Sequence, residues 1–213
     1  MKTEEVIKYI KELNEVDCAC VVGSYNHNKD AKNIDIILVT NEPICNIVER
    51  IGEFINLPSS VSDDTIQFKN CDGKTFSFLI HSSKELDKKV NEIVSGNNHT
   101  PRICEWAIIG WLPESFLNDL QKMVIIKDRE DYLSNLKENL GIYPESLKTA
   151  IIDFSTKKIK YLKMKQECFS NNVVESKIIQ AEIVVHEIRK KYAEENRYLH
   201  SFSSITKEGL YEE

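Results

Sequence analysis

No apolar run in this chain approaches membrane-spanning length, so a transmembrane helix is not its organising element. Basic charge is not in excess either: a formal net charge of -6 argues against a nucleic-acid binder working through a broad basic face. Six cysteines, at 18, 20, 45, 71, 104 and 168, form no C-x-x-C pair and no Cys/His cluster at zinc spacing. The histidines at 27, 81, 99, 186 and 200 are equally dispersed, and there is no internal repeat or low-complexity segment. Met1 to Leu13 carries charges at Lys2, Glu4, Glu5, Lys8, Lys11 and Glu12 and does not read as a signal peptide. Reduced thiols and a cytoplasmic protein without a membrane partner are therefore the expectation.

What is present is an ordinary globular composition, with 41% apolar and 29% charged residues among 213. That length can bury one large core or two small ones. Apolar spacing predicts a helix over 3–14, from Val6, Ile7, Ile10 and Leu13. A short buried strand over 17–22 ends at Gly23, and 26–33 is a polar loop. Ile34 to Val39 is nearly all apolar, as a central strand covered on both faces requires. A helix over 44–57 follows, then strands at 65–69 and 75–81 joined by Asn70-Cys71-Asp72-Gly73, and a helix over 84–94 capped by Ser83.

The second half differs in kind. A short helix around 102–109 is expected, then helices at 114–122, 130–140, 144–168 and 174–197, the last two as an antiparallel hairpin. The fold class is thus α+β: a small mixed sheet flanked by helices over 1–113, followed by a helical bundle over 114–213.

One constellation suggests chemistry. Gly23-Ser24 sits between two strands, and Asp35 opens the second with Asn33 two residues before it. Nucleotidyl transfer needs positioning and charge neutralisation. A glycine turn lets backbone amides approach phosphate oxygens, and strand carboxylates spaced i, i+2 point to one side and share a metal. An ordinary strand-ending turn and a strand-start acid are the plain alternatives.

Gly23-Ser24, a polar loop and then Asn33-Ile34-Asp35 resemble the Gly-Ser, loop, Asp-x-Asp signature of the polymerase-beta-type nucleotidyltransferase superfamily. Downstream, Glu105-Trp106 to Gly110-Trp111-Leu112-Pro113, Val124 to Asp128 and Tyr143-Pro144 resemble its bacterial aminoglycoside and lincosamide branch. The resemblance implies magnesium and a nucleoside triphosphate as cofactors, with Gly23, Ser24 and Asn33 binding nucleotide and Asp35 holding the metal as catalytic carboxylate. It implies transfer of a nucleoside monophosphate to a hydroxyl acceptor on a small molecule or macromolecule.

The departures matter as much. Asn33 stands where the family has its first aspartate, and Ser77 in Thr75-Phe76-Ser77-Phe78-Leu79 stands where a third carboxylate usually lies. Asp30 and Asp63-Asp64 are nearby acids that read first as solvated charges. The alternative function is therefore a catalytically degenerate relative acting in binding, regulation or antitoxin-type pairing, as a homo- or hetero-oligomer. A third class, a helical interaction module, gains if the Gly-Ser turn is buried.

Several residues read most simply as structure. Cys18 and Cys20 share a strand face as small apolar filler. His186 sits in a helical stripe as a satisfied, partly buried histidine, and Trp106 and Trp111 read as packing anchors. Lys157, Lys158, Lys160, Lys163 and Lys165 form a solvated basic face.

Overall fold

The structure is a computed structural model that describes residues 2–26, 28–55, 60–61, 65–70, 72–104, 107–169 and 172–200. His27, Asp63, Asp64 and Trp106 fall outside the described residues. The chain divides into two compact units, Met1–Lys89 with Asp119–Gly141, and Val90–Asn118 with Ile142–Glu213. The division is interleaved, where the sequence reads as a single cut after residue 113. The physical reason is β-pairing: a strand at Val124–Lys127 returns to the first unit and extends its sheet beside Cys18–Val22.

In the first unit, α1 (Thr3–Glu12) leads into β1 (Cys18–Val22), a 3₁₀ turn at Gly23–Asn26, and β2 (Asn33–Val39). Then come α2 (Ile44–Ile55), β3 (Ser60–Val61), β4 (Thr65–Lys69), β5 (Thr75–His81) and the start of α3 (Ser83–Val94), which belongs to the second unit from Val90 on. The sheet order is β3-β4-β5-β2-β1-β8, with β8 at Val124–Lys127 and α5 at Tyr132–Asn139 after it. Only β2 and β5 pair in parallel; every other neighbouring pair is antiparallel. The expected α+β class is what the chain adopts.

Strand alternation decides which face of the sheet is dry. Ile34, Ile36 and Leu38 of β2, Phe76, Phe78 and Ile80 of β5, and Ile66 and Phe68 of β4 point to one face. Val6 and Ile10 of α1 and Ile47 and Ile51 of α2 cover it, all within 2% of complete burial. Each such aliphatic or aromatic side chain contributes about 1.5–3 kcal/mol by leaving water. The opposite face carries Cys18, Cys20, Ile37 and, at its open end, Asp35 and Ser77. Cys18 and Cys20 are buried as expected, and burial pushes both thiols up, Cys20 to about 12.

α3 starts one residue away from the expected cap. Ser82, rather than Ser83, holds the helix start: its hydroxyl accepts from the Glu85 amide at 3.2 Å while the Glu85 carboxylate accepts from the Ser82 amide at 2.9 Å.

The second unit contains β6 (Arg102–Cys104), β7 (Ala107–Trp111), α4 (Pro113–Gln121) as far as Asn118, α6 (Glu145–Cys168) and α7 (Val173–Glu194). The expected helix over 102–109 is not formed; β6 and β7 pair as an antiparallel hairpin instead. Ile103, Ile108 and Ile109 favour extended backbone, and Pro101 and Pro113 bound a run too short to stabilise a helix alone. α6 and α7 form the expected hairpin, with Leu162, Ile179 and Ile183 in its seam. Asn172 caps α7 by accepting from the Glu175 amide at 3.2 Å.

Below them lies a buried ion pair. The Arg189 guanidinium donates to both oxygens of Glu114, at 2.6 and 3.1 Å, and to the His99 carbonyl at 2.6 Å. His186, expected to be partly buried and satisfied, is instead almost fully buried and its Nδ1 has no hydrogen-bond partner; burial, aided by Arg189, lowers its pKa to about 4. No described helix is long and apolar enough to cross a membrane.

Candidate functional site

Gly23 is the residue that turns the chain out of β1, and its φ of +72° is a conformation that favours glycine. The turn brings its backbone against Asp35. A Cβ added at Gly23 would lie 3.0 Å from Asp35 Oδ2, so the glycine leaves room for the carboxylate. Antiparallel register places Val22 opposite Asp35, which is why the residue after Val22 meets that side chain.

Register also builds the other side of the site. Asp35 pairs with Ser77 across the parallel β2–β5 ladder, and Ser77 pairs with Gln67 across β5–β4. Gln67 Nε2 donates to Ser77 Oγ at 3.1 Å, and the Ser77 hydroxyl donates in turn to Asp35. The carboxylate thus has a neutral hydrogen-bond relay where the sequence resemblance leads one to look for a third carboxylate. Burial raises the Asp35 pKa, and the Ser77 hydrogen bond opposes that only in part.

That raised pKa has a sign. The folded state holds the Asp35 proton more tightly than the unfolded chain, so stability falls as pH rises from the ordinary carboxylate value through the raised one. Above that window the full cost is present. Asp35→Asn is expected to raise Tm at neutral pH in metal-free buffer, and the gain should vanish on acidification below the ordinary carboxylate range. A Tm at pH 7 that stays level or drops contradicts this.

The remaining expected residues are placed as follows. Ser24 is exposed in the 3₁₀ turn and its carbonyl accepts from the Asn28 amide at 3.0 Å. Gly23 is half-buried, so the turn is open to solvent and the helical-module reading does not gain. Asn33 is exposed at the start of β2, on the same strand face as Asp35 and in register with Thr75. Asp30 is exposed in the loop. Among the described residues, no group of three or more His, Cys, Asp or Glu side chains is arranged to hold a metal ion.

Sequence reasoning missed four neighbours. Gln67 needs strand register to be seen. Lys29 and Lys74 stand over the Tyr25 ring, at 4.3 and 4.6 Å from its centroid, and place two ammonium groups one residue beyond Ser24. Asn26 anchors the turn by donating to the carbonyls of Val21 at 2.9 Å and Lys122 at 3.2 Å. A cavity of about 560 Å³ opens elsewhere, at the other end of β1 and β2, lined in part by Asp17, Cys18, Val39, Asn41, Asp87 and Tyr132. It includes neither Gly23 nor Asp35.

Among solved structures, the chain is similar to a nucleotidyltransferase-like protein from Exiguobacterium sibiricum 255-15, with 12% identity and a TM-score of 0.50. The likeness covers 97% of this chain and 61% of that one. The fold is nucleotidyltransferase-like. No family model matches the sequence, and no curated protein does. The chain spans about 61% of the length of the neighbour it resembles, and at that identity the likeness speaks for the fold.

Proposed function

We propose that this protein binds a magnesium-bound nucleoside triphosphate on its nucleotidyltransferase-like sheet and is degenerate in nucleotidyl transfer. The observation that carries the reading is the closeness of Gly23 to Asp35, where an added Cβ would stand 3.0 Å from Oδ2, combined with the neutral Ser77 beside that carboxylate. The donor set fits one magnesium ion shared with a nucleotide: magnesium takes one or two carboxylates plus substrate phosphates. It does not fit two metals, because Asn33 and Ser77 bring no charge. Bound there, magnesium would neutralise triphosphate charge.

The chain's own groups would do the rest. Backbone amides of the Gly23–Ser24 turn face the phosphates, the Ser24 hydroxyl donates to them, and Lys29 and Lys74 add positive charge on the turn's far side. Asn33 orients a water or a phosphate oxygen. With Asp35 as its one carboxylate among the described residues, the site offers no separate base to take a proton from an acceptor hydroxyl. Regulation or antitoxin-type pairing is the role such a scaffold suits. Kinship with the aminoglycoside and lincosamide branch rests on the sequence resemblance at 105–113, 124–128 and 143–144. The active reading, transfer to a hydroxyl acceptor, is favoured by the same close Gly23–Asp35 approach and would need carboxylates from Asp30, Asp63, Asp64 or another chain.

Calorimetry with ATP, GTP, CTP and UTP, with and without magnesium, tests this. Magnesium-dependent heat that disappears in Asp35→Asn, with no pyrophosphate release, is expected. Absence of heat in every combination overturns the binding claim; sustained pyrophosphate release overturns degeneracy. In the same assay Ser77→Asp, which places a second carboxylate in register with Asp35, should tighten magnesium and lower Tm when the metal is withheld.

A further inference from the structure

Among the described residues, eight large apolar side chains are exposed, and six of them are gathered on the outer half of the α6–α7 hairpin. They are Tyr161, Met164, Phe169, Val173, Val174 and Ile178. A patch of that kind on an otherwise polar surface marks a contact. Its layout is specific. Tyr161, 59% exposed, lies three residues after Lys158 and four before Lys165 on α6. Ile178, 63% exposed, lies three residues after Glu175 and four before Glu182 on α7. Residues at those spacings share a helix face.

The four charges are paired across the hairpin. Lys158 meets Glu182 at 3.1 Å and Lys165 meets Glu175 at 3.8 Å. These two bridges bracket Tyr161 and Ile178, so the two exposed side chains stand at the same height, framed above and below by charge. An apolar centre within a charged rim is the anatomy of a protein contact.

We propose that this face is where a second copy of the chain docks, its own α6–α7 hairpin packed face to face about a two-fold axis parallel to the helices. Charge complementarity selects both the occupant and the axis. With that axis, α6 of one copy lies over α7 of the other, so Lys158 and Lys165 oppose the partner's Glu182 and Glu175, and Tyr161 packs on the partner's Ile178. The alternative two-fold, perpendicular to the helices, stacks lysines on lysines and glutamates on glutamates. The isologous pairing repeats every contact twice, and height is preserved, so the apolar and charged rows match without adjustment. Met164 and Val174 extend the same rows one turn towards the loop.

Sedimentation equilibrium of the full chain over a hundredfold concentration range tests this. Wild type is expected to associate to a dimer, with the dissociation constant rising at least tenfold in Ile178→Lys. That substitution suits the monomer, because Glu175 and Glu182 flank the new ammonium, and opposes the dimer, because the partner's lysines face it. Tyr161→Glu is the mirror test, flanked by Lys158 and Lys165. Circular dichroism checks that helix content is kept, and either variant alone suffices if the other fails to fold. A wild type that stays monomeric throughout overturns the proposal. So does a dimer that both folded variants leave intact, or one that a different protein must complete.

Discussion

Replacing Arg189 by methionine is expected to destabilise the protein by about 3–5 kcal/mol, because it leaves a buried carboxylate without its counter-ion. Glu114 and Arg189 are 2% and 0% exposed at the side chain, so water cannot take the guanidinium's place. The same substitution strips a donor from the His99 carbonyl, which tethers the loop before β6 to α7. The double variant Glu114→Leu/Arg189→Met should recover much of the loss, since apolar groups of similar volume commonly equal a buried pair. Denaturant unfolding followed by circular dichroism measures both. A single-variant loss under about 1 kcal/mol would mean that the ion pair is solvated rather than buried.

Gly23→Ala should reduce nucleotide affinity at least tenfold while costing only modest stability. The backbone there has φ +72°, a region that costs an L-residue about 1–2 kcal/mol. The new methyl also stands 3.0 Å from Asp35 Oδ2, so the carboxylate must shift away from the turn. Gly73→Ala is the matched control, with φ +74° and open space where its methyl would go. Both variants therefore carry the same conformational cost, and only Gly23→Ala disturbs Asp35. Equal nucleotide affinity in the two variants would show that the turn and the carboxylate do not form one surface.

The first unit was largely legible because its strands announce themselves. Ile34 to Val39 and the alternation of Phe76, Phe78 and Ile80 leave little choice of period, and Gly23 had to end a strand. The approach of that glycine to Asp35 followed from the order strand, turn, strand. What was hidden depends on register or distance along the chain. Gln67 becomes a neighbour of Ser77 only once β4 and β5 are aligned, and β8 meets β1 across about a hundred residues, with Val21 paired to Val124. The β6–β7 hairpin was misread because a short run rich in isoleucine between prolines suits a strand or a buried helix equally by period. Lys29 and Lys74 lie 45 residues apart along the chain, and only folding gathers them over Tyr25. The charged frame around Tyr161 and Ile178 was half visible: the lysine-rich face of α6 could be read, but not its partners on α7.

The most direct test is a crystal grown with manganese and a non-hydrolysable nucleoside triphosphate, with the metal located by its anomalous signal. The metal should lie in direct contact with an Asp35 carboxylate oxygen, at about 2.0–2.2 Å as for a small hard cation. The triphosphate should then reach the Gly23 and Ser24 amides. A metal–nucleotide pair bound elsewhere, with Asp35 still held only by Ser77, would contradict the account.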